Sequence, residues 1–285
     1  MSIEHVRAAF ERWHAAAAAG SDLLSAVHAA CAPSCVIHMQ NGEDGDLVST
    51  EVQTTQARAL MPDLAIEIED LVCTEERMLV QVAMSGSPSL IFRIARGRRV
   101  FHAQGAVVAR VNDQSEIVEL WSYLNPGAML TFPPRSGPPP LPPPSIAPGT
   151  EADANAVGWD WQRAVTATEF LAHILASAAP GCIVHGTNGD IGGVEILEYH
   201  FWVVQAAFPE LAVSFEAGYV TDDRLIAQFQ FDGTQRGWLG IAPPSGSRVQ
   251  SRGAIVARVG ADRRVVEIWI YLAPGMGLIF PRRDR

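Results

Sequence analysis

The spacing of apolar residues along this chain switches from a helical period to a strand period, and later does so a second time. Val6, Phe10, Trp13 and Ala17 recur at the 3.6-residue interval, which predicts a helix over about Ile3–Ala19 ended by Gly20. Ser21 or Asp22 then caps a second helix to about Ala30, and Pro33-Ser34 breaks it. Cys35–Met39 reads as a short strand and Thr50–Leu60 as a helix stopped at Pro62. From there the alternation is that of strands, at Leu64–Val72, Met78–Ser85, Leu90–Ala95, Val100–Val111 and Ile117–Leu124.

Nine of the nineteen prolines fall in residues 133–150, a stretch that excludes helix and inner strand and reads as an extended linker. Beyond it the order restarts. Ala156–Ala176 is predicted helical, Cys182–His185 a short strand and Val194–Ala207 a helix. Strands follow at Leu211–Val220, Leu225–Phe231, Trp238–Ile241, Val249–Val259 and Arg264–Leu272.

The two halves align by hand. Pro33–His38 matches Pro180–His185 at an offset of 147, as Asn41-Gly42 matches Asn188-Gly189. Gly105–Arg110 matches Gly253–Arg258 at an offset of 148. An offset this steady marks a tandem duplication, with a period far too long for a solenoid. The expected organisation is one domain over 1–132, a linker over 133–150 and a second domain over 151–285. The duplication predicts an intramolecular pseudo-dimer, open to further homodimerisation.

The most regular stretch in each half is EIVELWSYLN at 116–125 and RVVEIWIYLA at 264–273. Glu119, Trp121 and Tyr123, and likewise Glu267, Trp269 and Tyr271, occupy alternate positions and so share one face of a strand. The opposite face is mostly core. The expectation is that the Glu-Trp-Tyr face lines a cavity.

Composition narrows the partners. A net charge of −10 argues against nucleic acid, which requires clustered Lys and Arg. No apolar run reaches the roughly 18 residues of a membrane helix, and the N-terminus lacks a signal-peptide pattern. A cytoplasmic protein is expected. Cys31, Cys35, Cys73 and Cys182 form no CxxC pair and no zinc-finger spacing, and Pro33 argues against a shared helical face for Cys31 and Cys35. They read as free thiols. No phosphate loop, nucleophile elbow or metal-spaced cluster occurs, so neither metal nor cofactor is expected.

In the second half, Phe208-Pro-Glu-Leu, Gly233-Thr-Gln-Arg-Gly-Trp-Leu-Gly-Ile-Ala-Pro-Pro-Ser-Gly246, Gly253–Arg258 and Val266-Glu-Ile-Trp269 follow in order. That succession resembles the SnoaL-like polyketide cyclases, whose pattern runs FPD, GTHxGxxxGxxPTG, a strand ending in Arg, then IVExWxxxD. The resemblance covers most of 155–280 and, less completely, 5–130. It implies an α+β fold of two tandem cone-shaped domains of the nuclear transport factor 2 type, each with N-terminal helices on a curved, mostly antiparallel sheet. It also implies cofactor-free cyclisation or isomerisation of a hydrophobic polyketide- or terpenoid-like metabolite. The Asp that moves protons in the family is replaced by Asn125 and Ala273, and the His of GTHxG by Gln235. The tandem arrangement also resembles the epoxide hydrolases of polyether biosynthesis, which use paired acids. Loss of both aspartates leaves non-catalytic binding as a third reading.

The candidate acid/base residues are His38, Glu119, His102 and Asn125 in the first half, and His185 and Glu267 in the second. A carboxylate in line with Trp on a half-buried strand is expected to have a raised pKa, unless it pairs with Arg110 or Arg258. His38 and His185 either relay protons or hold the Asn-Gly turn. Trp121, Tyr123, Gln104, Trp269, Tyr271 and Trp238 are the candidate substrate-binding residues. The first half keeps more titratable or hydrogen-bonding groups and is the expected active half. His5, His14, His28, His173 and His200 lie in helices and read as structural.

Overall fold

The computed structural model describes residues 2–19, 23–87, 100–125, 128–132 and 144–272. Its chain divides into two compact units, Met1–Gly127 and Ala128–Arg285.

In the first unit, helix α1 (Ile3–Ala18) starts behind the N-cap Ser2, and the short α2 (Leu23–Ala26) runs on as a 3-10 turn to Ala30. Strands β1 (Cys31–His38) and β2 (Asp44–Gly45) lead to α3 (Leu47–Leu60). The Asp46 side chain accepts the Val48 N–H at 3.1 Å, so α3 begins three residues before the expected Thr50. The remaining strands are β3 (Ala65–Cys73), β4 (Arg77–Gly86), β5 (Phe101–Val111) and β6 (Ile117–Leu124). The strand expected at Leu90–Ala95 lies outside the described residues. The sheet order is β2-β1-β6-β5-β4-β3, with β1 and β6 parallel and the other pairs antiparallel.

The second unit repeats this plan after a short helix α4 (Ala128–Thr131): α5 (Glu151–Trp161), α6 (Ala167–Ser177), β7 (Ala178–His185), β8 (Ile191–Gly192), α7 (Val194–Ala207), β9 (Ala212–Thr221), β10 (Arg224–Thr234), β11 (Arg248–Val259) and β12 (Val265–Leu272). The order β8-β7-β12-β11-β10-β9 matches strand for strand. Each unit is thus an α+β cone, with helices on a six-stranded, mostly antiparallel sheet.

Three expectations change. The single helix over Ala156–Ala176 is two helices, because the Thr166 hydroxyl accepts the Glu169 N–H at 3.2 Å and starts a new one. Trp238–Ile241 is no strand: Gly240 at φ +57 makes a tight turn closed by the Leu239–Ala242 bridge. A side chain on Gly240 would collide with the Leu130 carbonyl, at 1.9 Å. Third, the compact units meet at 127/128 rather than after residue 132. Phe132 is fully buried among second-unit core residues, its ring 4.4 Å from that of His200, and its carbonyl accepts the Asn188 amide at 3.0 Å. On the far side of the Pro-rich stretch, the Gly149 N–H donates to the Val259 carbonyl at 2.9 Å.

β1 begins four residues earlier than expected. Cys31 pairs with Ile117 and Val36 with Glu119, so the intervening chain bulges, with Pro33 and Ser34 exposed. Proline without an N–H is tolerated in such a bulge.

Candidate functional site

The sheet register decides which face carries what. Ile268, Ile270 and Leu272 of β12 pack with Val184, Ile255, Ala257, Phe229 and Phe231 against Val157, Trp161, Phe170 and Phe201 of the helices. Glu267, Trp269 and Tyr271 alternate with them and therefore point to the opposite side of the sheet. The pairing Arg258↔Glu267, Val256↔Trp269 and Ala254↔Tyr271 places those partners on that side too. The first unit has the same register, with Arg110↔Glu119, Val108↔Trp121 and Ala106↔Tyr123. The Glu-Trp-Tyr stripe is therefore not the wall of the helix-covered interior, as expected from sequence. Tyr123 and Tyr271 are buried nonetheless. Trp238 is 63% exposed on its turn and lines no enclosed site.

On this opposite face each unit has a histidine stacked on its tryptophan. His38 lies 4.4 Å from Trp121, and His185 lies 4.9 Å from Trp269. Their acid partners differ. His38 Nδ1 is 2.8 Å from Asp44 Oδ1, which leaves Nε2 buried without a partner. His185 Nε2 is 2.9 Å from Glu267 Oε1, which leaves Nδ1 in that state. An ionised carboxylate accepts only, so each ring donates to its acid.

The two glutamates are held below the usual carboxylate range, not above it as expected. For Glu119 the cause is first the hydrogen bond from Arg110 Nε at 2.9 Å. For Glu267, burial pushes upward, and the hydrogen bonds and charges of His185 and Arg258 outweigh it. Arg258 also reaches Asp223 at 3.3 Å. The carboxylate pair Glu267 and Asp223 is therefore bridged by a cation, unlike a pair that shares a proton.

The remaining candidates are dispersed. His102 is exposed, while Gln104 is buried with its Oε1 unpartnered. Their counterparts are committed: Gln250 donates to Asp232 at 3.0 Å and Arg252 to Glu216 at 2.9 Å. Asn125 is buried just past the end of β6; Ala273 lies outside the described residues. Gln235 is fully buried, accepting from Ser245 Oγ at 2.7 Å and donating to the Gly237 and Pro243 carbonyls at 3.1 Å, so it braces the loop of its motif.

The contrast that the sequence reading missed lies in the two interiors. In the second unit Phe170, Phe215, Phe229 and Phe231 form an edge-to-face cluster with Phe201, centroids 4.9–5.9 Å apart. At the repeat offsets the first unit has Leu23, Ile68, Val82, Met84 and Thr54. Leu197 and Ile270, both fully buried, correspond to Thr50 and Ser122. Thr50, Thr54 and Ser122 are themselves at most 7% exposed, so hydroxyls stand at three core positions that the second unit fills with Leu197, Phe201 and Ile270; the second unit buries hydroxyls at other positions, Thr187 and Ser251. Thr54 Oγ1 donates to the Thr50 carbonyl at 2.9 Å, while Ser122 has no hydrogen-bond partner among the described residues.

At the rim of this interior stands His28, where the second unit has Leu175. Its Nε2 contacts Thr50 Oγ1, whose own proton goes to the Leu47 carbonyl at 2.7 Å. The hydroxyl must then accept from His28, whose Nδ1 lies 4.0 Å from Glu51. His28 is thus not the partnerless histidine expected from its helix position. The available signal was the pairwise offset: polar residues stand at three positions where the other copy has Leu, Phe and Ile.

The family model of the SnoaL-like polyketide cyclases matches residues 160–273, which is most of the second repeat, and so the family resemblance stands. No curated protein matches. Among solved structures, AclR, a putative hydroxylase from Streptomyces galilaeus, is 18% identical over 47% of this chain and 100% of its own, with a TM-score of 0.40. A putative SnoaL-like polyketide cyclase from Jannaschia sp. CCS1 is 20% identical over 48% of this chain and 90% of its own, at 0.37. IdmH, a putative polyketide cyclase from Streptomyces antibioticus, is 22% identical over 41% and 88%, at 0.34. At such scores these likenesses carry no argument about chemistry.

Proposed function

We propose that the chain is a cofactor-free cyclase or isomerase for a hydrophobic polyketide- or terpenoid-like metabolite, held in the interior of the first unit. The observation that carries this reading is the replacement of Phe201, Leu197 and Ile270 by Thr54, Thr50 and Ser122 at buried positions of the same frame. Interiors pack to near-crystalline density, and replacing Phe, Leu and Ile by Thr, Thr and Ser removes side-chain volume from that interior, which supports a ligand there. In this reading Ser122 holds a substrate carbonyl and His28 Nδ1 takes the proton beside it. Arg-bound and ionised, Glu119 and Glu267 are poor acids at neutral pH, and they stabilise the sheet instead.

The test is exchange of the α-protons of an aryl 1,3-diketone with deuterated solvent, followed by NMR. Wild type is expected to accelerate exchange, and His28→Gln to remove most of that acceleration. A second reading places proton transfer at the unpartnered nitrogens of His38 and His185. It is favoured if His38→Gln or His185→Gln, and not His28→Gln, removes the exchange. If wild type binds the diketone without accelerating exchange, the protein is a binder and the missing family Asp explains why.

A further inference from the structure

The register of β1 brings two thiols together in the first unit that have no counterpart pair in the second. Cys31 pairs with Ile117 and Val36 with Glu119. Two residues of extended strand span about 6.6 Å, so five residues of β1 are compressed into that length by the Pro33-Ser34 bulge. The Cys31 and Cys35 side chains lie on one side of the strand, because their counterparts Ala178 and Cys182 both belong to the helix-covered core. Each thiol is the largest influence on the other, Cys35 downward and Cys31 upward, and the Cys35 thiol also donates to the Val36 carbonyl at 3.8 Å. Disulfides form between Cα atoms roughly 4.4–6.8 Å apart, and a bulge that folds five residues into the span of two draws Cys31 and Cys35 toward that range.

We propose that Cys31 and Cys35 are an oxidisable dithiol that a small hydroperoxide converts to an intrachain disulfide. The polarity of the pair assigns the roles. Its neighbour Cys31 lowers the pKa of Cys35, and Cys35 raises that of Cys31. Cys35 as thiolate attacks the terminal oxygen of the hydroperoxide. The O–O bond breaks, the leaving oxygen departs as alcohol or water with a proton, and Cys35 becomes a sulfenic acid. The Cys31 sulfur then attacks the Cys35 sulfur; the S–S bond forms, the S–O bond breaks, and hydroxide leaves as water with the Cys31 proton. Two thiols lose two electrons, and one peroxide is reduced.

The second unit supplies the internal control. Cys182 has Ala178 where Cys35 has Cys31, and burial pushes its thiol up to about 12. Cys73, half-buried, is likewise pushed up by burial. Neither is set to react.

The experiment treats the full chain with a small excess of hydrogen peroxide, then counts thiols after denaturation and records intact and peptide masses. The expected result is loss of two thiols of four, a mass decrease of about 2 Da for one disulfide, a Cys31–Cys35 cross-linked peptide, and full reversal by dithiothreitol. Cys31→Ala, which copies the second repeat, is expected to abolish the decrease. Should that variant fold poorly, Ala178→Cys provides the converse: a second pair with Cys182 and loss of four of the resulting five thiols. Retention of all thiols, peroxide oxygens added at Cys31 or Cys35 without a cross-link, or a disulfide between chains would each overturn the proposal.

Discussion

The two units share a sheet order, a register and most backbone turns, yet one interior is closed by aromatic rings and the other is lined by hydroxyls. Phe201 and Thr54 sit at the same place on the same helix, α7 in one unit and α3 in the other. What differs is volume and polarity, not architecture. Under the proposed function one copy serves as a rigid partner while the other gives up core packing for a site, a division that duplication permits because stability and function no longer compete within one core. The outer stripe shows the reverse pattern. Its Glu, Trp, Tyr and His are retained in both units, as expected of residues that hold the sheet itself together.

The comparison can be broken most severely by exchanging the interiors. Phe201→Thr should destabilise the second unit by about 3–5 kcal/mol, read as a lower midpoint in urea. A loss below about 1 kcal/mol would mean that the aromatic cluster is not the closed core described above. The reciprocal change, Thr54→Phe, should leave stability nearly unchanged. It should lower diketone exchange, or binding of a fluorescent apolar probe, by about a hundredfold, or about 2.7 kcal/mol. His28→Gln should reduce exchange by one to two orders of magnitude with little effect on affinity, as expected for loss of a positioned base. An equal effect on affinity and rate would make His28 a binding residue.

The smallest effect concerns the stripe. The folded-state pKa of Glu267 is lowered, so its contribution to stability is fully present above the ordinary carboxylate value of about 4.3. That contribution fades as pH falls through the lower folded value. Glu267→Gln should cost about 1 kcal/mol at pH 7 and nothing near pH 2, measured by urea unfolding at each pH. Glu119→Gln should show the same sign with a smaller amplitude, since its ion pair with Arg110 is more exposed to solvent.

Much of this fold was legible in sequence because the chain states its pattern twice. The steady offsets located both sheets, and Gly253–Arg258 and Val266–Trp269 carried the family resemblance. Alternation told which residues of EIVELWSYLN share a face. It could not tell which face the helices cover, because Trp121 and Tyr123 are as apolar as Leu120 and Leu124. Hence the stripe was assigned to the interior when it belongs to the opposite side. Thr50 and Thr54 were passed over because hydroxyls in a helix read as ordinary surface residues. Only comparison with Leu197 and Phe201 reveals them as core positions. The Cys31–Cys35 approach was hidden for a related reason: Pro33 does exclude a shared helical turn, but a strand bulge joins the two residues without one.

The short segment Ala128–Phe132 has a consequence for how the chain would come apart. Were the backbone cut anywhere from Pro133 to Pro143, the N-terminal piece would still end in Leu130 and Phe132. Leu130 is held by the Ile241 N–H at 3.3 Å, and Phe132 lies in its socket beside His200 and Asn188. A fully buried Phe contributes about 3 kcal/mol of apolar burial, and the two hydrogen bonds across the cut, one to the Phe132 carbonyl and one to the Leu130 carbonyl, add to that. The severed halves would remain plugged together and would elute as one species until the socket itself unfolded.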